Sequence, residues 1–219
     1  MASTTIDTDT ELSAVTAILG AIGQSPVTTL GSLTDDSGDE IENSYENPEI
    51  AFIYNLLRDA KVDTQAEGWH FNTEKHVKYI PDESTDKITI GSDILKLDVH
   101  DGWVHRNYDV VKRNGYLYDK YDHTDDWSDV TEIYLDQIRL YPFADIPEVF
   151  KRYIIQRASR VAATQLVSNP QLVQLIAQNE MQSRANCMEY ECNQGNPSMF
   201  GFPEDTSYTT YQPWRNLRR

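Results

Sequence analysis

Five histidines (His70, His76, His100, His105 and His123) and two cysteines (Cys187 and Cys192) are the residues of this chain best suited to metal or nucleophilic chemistry. Their spacing supports neither. No two histidines sit at the helical interval that would aim both imidazoles at one metal ion, as H-E-x-x-H does. The cysteines lie on one predicted helix, and at 3.6 residues per turn they point about 140° apart, too far to bridge each other. Idle thiols of this kind fit synthesis in a reducing compartment. The densest polar cluster is Asp122-His123-Thr124-Asp125-Asp126-Trp127. Paired carboxylates beside an indole face are what a glycan site requires, but the same residues read better as a loop between two strands. Asp35-Asp36-Ser37-Gly38-Asp39-Glu40 is an acidic run without the EF-hand spacing, which needs a glutamate at the twelfth position. The chain has no G-x-S-x-G, no P-loop and no G-x-G-x-x-G. The expectation is a protein with no catalytic residues, no metal and no cofactor.

The elements that would position these residues are legible from their periodicity. Asp145 to Gln194 reads as two long helices meeting at Asn169-Pro170. Asp145 can cap the first, with Glu148 reaching back to it. Ile146, Phe150, Ile154, Ala158 and Val161 form its main apolar row, widened by Tyr153, Ile155, Ala162 and Leu166. Pro170 starts the second helix with Asn169 as its cap. There Val173, Ala177, Met181, Arg184, Met188 and Cys192 lie along one row, apolar except at Arg184. Toward the N-terminus, Thr8-Asp9-Thr10-Glu11 is a capping box for a helix with Leu12, Val15, Leu19 and Ile22 on one stripe, ended by Gly23. A loop around residues 31–49 follows, centred on the acidic run 35–40. Asn47-Pro48-Glu49 opens a helix that runs to about Ala66, with Ile50, Ile53, Tyr54 and Leu57 on its apolar face.

Between these helices the period changes to two. Trp69 to Ile80, with Trp69, Phe71, Val77 and Tyr79 alternating, reads as a strand. Lys87 to Val99 is a second apolar run, interrupted at Gly91. Trp103 to Lys112 leads into Asn114-Gly115, the strongest short hairpin signal, and Tyr116-Leu117-Tyr118 returns. Thr131 to Tyr141 is the last strand, with a bulge expected near Asp136-Gln137. The expected fold is α+β: an antiparallel bundle of about four helices (residues 1–66 and 145–194) interrupted by an inserted antiparallel β domain of roughly six strands (67–144). Leu12, Leu19, Ile53, Leu57, Phe150, Ile154 and Met181 are the expected core of the bundle.

After Gly195 regular structure stops at Asn196-Pro197, Gly201-Phe202-Pro203 and Gln212-Pro213. Phe200, Phe202, Tyr208, Tyr211 and Trp214 are not the residues of a free linker. Residues 195–219 therefore read as an extended arm that becomes ordered against a partner. Phe200, Tyr208, Tyr211 and Trp214 would be its apolar anchors, and Arg215, Arg218 and Arg219 its charged ones. The rest of the chain is acidic. Its 219 residues carry a net charge of −16, and the first Lys or Arg is Arg58. A nucleic-acid binder needs a basic footprint, which this chain lacks. No apolar run is long enough for a membrane span, and Met1-Ala2-Ser3-Thr4 does not resemble the start of a secretory signal.

Four blocks extend the reading. Glu11-Leu12-Ser13-Ala14-Val15, Ile18-Leu19, Ile22-Gly23, Pro26-Val27 and Thr29-Leu30 make up the first; Gly68-Trp69-His70-Phe71-Asn72 with Ile80-Pro81-Asp82 the second. The third is Ile146-Pro147-Glu148, Phe150, Tyr153-Ile154 and Ala158-Ser159-Arg160; the fourth is Cys187-Met188-Glu189-Tyr190-Glu191. In this order they resemble the tail tubular protein A family of short-tailed, T7-like bacteriophages. The resemblance implies a virion protein, assembled in the host bacterial cytoplasm. That family forms the adaptor or gatekeeper ring between the portal and the tail nozzle. The implied partners are other copies of itself in a twelvefold ring, the portal protein, a nozzle protein of the tail tubular protein B type and the tail fibres. DNA would pass through the channel without tight binding. No catalysis and no membrane association is implied. The alternative is a glycan-binding or glycan-cleaving tail component acting through the β domain.

Overall fold

The computed structural model describes residues 10–28, 30, 32–34, 40–45, 47–100, 107–167 and 169–195. They divide into two compact units. One is built from the stretches Met1–Thr73 and Ile138–Met188, the other from Glu74–Gln137 and Glu189–Arg219. The fold is mixed helix and sheet, as expected.

In the first unit, α1 (Glu11–Ala21) is capped by Thr10, whose hydroxyl accepts the Ser13 N–H at 3.3 Å. The helix thus starts two residues later than the capping box at Thr8 implied. Thr8 itself lies outside the described residues. Gly23, at φ 82°, takes the left-handed turn that ends the helix. A backbone hairpin of β1 (Ser32–Thr34) and β2 (Glu40–Tyr45) then replaces the expected loop. The acidic residues 35–39 lie outside the described residues. α2 (Pro48–Ala66) begins as Asn-Pro logic requires, with the Asn47 side chain accepting the Glu49 N–H at 2.9 Å.

α3 (Glu148–Ala162) departs from expectation at its start. Its cap is Pro147, with no side-chain cap bond, and Asp145 belongs to a short 3-10 turn over Phe143–Asp145. Proline at the boundary holds an extended φ/ψ that lets the backbone turn in without a capping carboxylate. The Lys151 ammonium satisfies the Ala144 carbonyl at 2.9 Å. α3 ends in a π turn, Ala163–Val167, and α4 (Pro170–Gly195) follows with Asn169 accepting the Gln171 N–H.

α1, α2 and α3 pack on one another. Val15, Ile18, Leu19, Ile53, Leu57, Phe150 and Ile154 are buried there, and Leu12 is half-buried. Trp69 meets Phe150 edge-on and Phe71 packs against it at a tilt, with ring centroids 4.9 and 4.7 Å away. Trp69 is thus helical core, not strand. Residues 70–72 form a 3-10 turn, and the strand begins only at Thr73. The expected burial of Met181 is wrong: it is 72% exposed. α4 contributes Ile176 and Cys187 to the buried apolar set, while Met181 and Met188 face outward.

Buried amides join the two places where the chain leaves and re-enters this unit. Gln65 donates to the Tyr141 carbonyl at 3.1 Å and accepts the Tyr141 N–H at 2.7 Å. Asn72 accepts the Trp69 N–H at 2.8 Å and donates to the carbonyls of Gln65 and Arg139. Gly68, at φ 78°, lets Ile138 approach so closely that a Cβ there would lie 2.6 Å from Ile138 Cδ1.

The second unit holds a three-stranded sheet in the order β3 (Thr73–Tyr79), β7 (Ile133–Arg139), β4 (Ile94–Val99). Beside it is the antiparallel hairpin of β5 (Val110–Arg113) and β6 (Tyr116–Asp119). Asn114 and Gly115, at φ 51° and 79°, make the expected tight turn. Its core is Ile88, Ile90, Ile94, Val110, Leu117, Trp127, Ile133 and Leu135. Residues 87–90 form a single bridge to the hairpin, Thr89–Tyr116, flanked by bonds from the Ile90 N–H to the Gly115 carbonyl and from the Leu117 N–H to the Ile88 carbonyl, so the expected strand from Lys87 begins at Ile94 instead. The break in alternation near Asp136-Gln137 is not there. Ile133, Leu135 and Gln137 continue one buried face. Gln137 is tolerated on it because Tyr79 and Glu74 bond its amide. No described helix is long and apolar enough to cross a membrane.

Phe150 is fully buried and carries the aromatic contacts of the first unit. Phe150→Ala is expected to cost roughly 3–5 kcal/mol, read as a shift of the denaturant midpoint. An unchanged midpoint would show that this core does not hold the helices together.

Candidate interaction surface

The residues singled out for chemistry are mostly spent on structure. Trp127, the indole a glycan would stack on, is buried, and its Nε1 donates to the Leu117 carbonyl at 3.0 Å. Asp126 accepts the Ser128 N–H, and Asp125 pairs with Lys87 at 2.6 Å. The backbone N–H of Ser128 beside it holds the Asp126 carboxyl below its ordinary range. Asp119, also buried, accepts the N–H groups of Asp109 and Tyr121. The cluster is a tied loop, and nothing in it favours sugar binding.

The fold brings two histidines together. His76, at φ 58°, stacks on Tyr134 at 4.2 Å and meets His100 edge-on at 4.7 Å. Asp136 accepts the His76 backbone N–H at 2.9 Å and lies 2.6 Å from His100 Nδ1. Among the described residues no group of three His, Cys, Asp or Glu could hold a metal ion. His70 and His123 are exposed, and His105 lies outside the described residues. So do the proposed anchors Phe200, Tyr208, Tyr211, Trp214, Arg215, Arg218 and Arg219.

Among the described residues, the end of α3 and the start of α4 form an uncharged stretch. From Val161 to Asn179 the sequence has no ionisable side chain. The charges that flank this stretch are neutralised within the unit. Arg160 pairs with Glu180. Arg184 bonds both oxygens of Glu67, at 3.1 and 2.9 Å, and donates to the Tyr153 hydroxyl at 2.8 Å. These bonds, Glu67 first and Tyr153 second, raise the Arg184 pKa further above its already high value. Arg157 bonds Asp63 at 2.8 Å and lies 3.5 Å from the same Glu67. Between these ion pairs lies a shallow groove of about 290 Å³, lined by Arg160, Ala177, Glu180, Met181 and Arg184. Leu166, Val167, Leu175, Met181 and Met188 are exposed along this region. The row from Val173 to Cys192 had the pattern of a core stripe. That pattern was visible in the sequence, as was the charge-free run. Periodicity alone could not say whether the cover is the same chain.

The two thiols report on how α4 sits. Cys187 is buried, and its Sγ lies 3.5 Å from the Val149 carbonyl. Burial pushes this thiol up to about 12, so it stays protonated well above neutrality, whereas Cys192 is exposed. A thiol reagent at mildly alkaline pH should therefore titrate Cys192 quickly and Cys187 only after denaturation. Fast reaction of both in the native protein would show that α4 is not held against α3.

No curated protein matches the chain. A family model described as tail tubular protein matches residues 12–197. The match spans α1 through α4 and takes in both units, so it is not confined to one shared helix or hairpin. The chain belongs to the tail tubular protein family, a structural component of the bacteriophage tail and not an enzyme.

Proposed function

We propose that this chain is the ring-shaped adaptor between the portal and the tail nozzle of a short-tailed phage. Twelve copies would surround the DNA channel, and tail fibres would dock where the ring meets the nozzle. The observation that carries the reading is the family match over residues 12–197. Assembly would take place in the host bacterial cytoplasm before the protein takes its place in the virion tail.

The chain's charge supports the channel role. A net charge of −16 repels a polyanion, so duplex DNA would slide through the ring without forming phosphate contacts. The purified protein is expected not to retain duplex DNA at moderate salt. Tight binding that weakens steeply as salt rises would contradict this, because it requires a basic surface.

The arm at 195–219 would attach the ring to the portal or to a neighbouring copy. Phe200, Tyr208, Tyr211 and Trp214 would supply contact area and Arg215, Arg218 and Arg219 directed charge, the residue types that dominate interface energetics. Pro197, Pro203 and Pro213 reduce the conformational freedom lost on ordering. A chain ending at Gln194 should keep its helical content yet fail to assemble on portal particles, measured by the mass of the mixed complex. Assembly equal to that of the full chain would show that the arm is not the anchor.

A further inference from the structure

The exposed residues of α4 fall into two groups rather than one. Ile176 and Cys187 are both buried and mark the side of the helix turned toward the unit's core. Met181 and Met188 are seven positions apart and lie nearly in line, about 130° and about 110° round the axis from that buried side. Leu175 lies about 110° round in the other direction, so roughly 120° separates it from Met181. Met181 is 72% and Leu175 60% exposed. The two flanks also differ in shape. The methionine flank carries the groove beside Ala177, between Arg160 and Arg184. The leucine flank is a projecting branched side chain among Asn179, Gln182 and Asn186, all exposed.

Charge narrows what can cover them. A cationic partner would be drawn to the acidic surface of the chain, not to a strip without ionisable groups. Two copies, each at −16, repel through most of their surface. They meet at least Coulomb cost where both are uncharged, which is along Val161 to Asn179, beside ion pairs closed within each chain. A two-fold contact would use one flank twice and leave the other in water. A head-to-tail contact uses both, and repeated with rotation it closes a ring.

We infer that the two flanks of α4 are the two halves of a head-to-tail contact between copies of this chain. Leu175 of one copy seats in the groove beside Ala177 and Met181 of the next. The inference rests on the ring proposed above and assigns its contact surface.

Full-length wild type, Leu175→Glu, Met181→Glu and an equimolar mixture of the two variants can be compared by sedimentation velocity over a concentration series. Circular dichroism checks that both variants keep their helices, as exposed positions allow. Wild type should pass to species larger than a dimer. Each variant alone should need at least tenfold higher concentration to associate. The mixture should form a dimer and stop there. In it Leu175→Glu supplies an intact groove, Met181→Glu an intact leucine, and both outer flanks are blocked. Wild-type assembly by either variant alone, or a mixture that stays monomeric, overturns the flank assignment and leaves the adaptor reading standing. Wild type that stays monomeric and forms no ring on portal particles overturns both.

Discussion

The chain leaves its helical unit after α2 and comes back before α3, and the two crossing points must be held side by side. Gln65 and Asn72 do this with their amides. Each bonds main-chain groups of the crossing segments: Gln65 both polar groups of Tyr141, Asn72 the buried Trp69 N–H and the carbonyls of Gln65 and Arg139. A buried donor or acceptor left unpaired costs about 1–3 kcal/mol, so several such bonds at one place make the crossing geometry expensive to change. Gly68 completes the arrangement by giving Ile138 the room a side chain would have filled. Trp69 is thereby turned inward, its Nε1 bonded to the Thr64 carbonyl and its ring against Phe150. The position of α3 on α2 follows from that contact.

The protein's chemistry is that of surfaces. Side chains that would signal an active site elsewhere are consumed in holding loops: Asp119 and Asp126 by turn N–H groups, Trp127 by the Leu117 carbonyl. Ion pairs serve a related purpose on the helices. Glu67 takes both Arg157 and Arg184, and Glu180 takes Arg160, so the ionic groups that flank the uncharged run Val161–Asn179 are neutralised within the unit. Exposed ion pairs of this kind add little stability. What they do here is remove charge from a surface, which matters for a structural protein whose work is to meet other proteins.

Local signals are legible wherever one residue type has a single physical use. Asn47-Pro48 and Asn169-Pro170 start helices because proline needs no amide partner in the first turn. Asn114-Gly115 turns a hairpin because both residues tolerate positive φ. Phe150, Ile154, Ile53 and Leu57 are buried because their helical spacing leaves them one common face. Apolar alternation by itself misleads at two places. Trp69 and Phe71 alternate as in a strand but belong to the helical core, and Gln137, where the alternation of apolar residues breaks, continues the buried face of β7.

The sequence alone therefore determined the kind and approximate extent of each helix, the tight hairpin, the acidic charge and the absence of any catalytic spacing. These follow from local backbone preferences and from composition, which need no partner. Only the tertiary structure decided that Gln65 and Asn72 close the crossing, that His76 and His100 meet over Asp136, and that Met181 faces water. Each of these depends on which distant segment arrives at a given side chain. The methionine row of α4 had the spacing of a buried stripe, but spacing says only that a face will be covered. Whether the cover comes from the same chain is set by how α3 and α4 pack, and their packing leaves that face open.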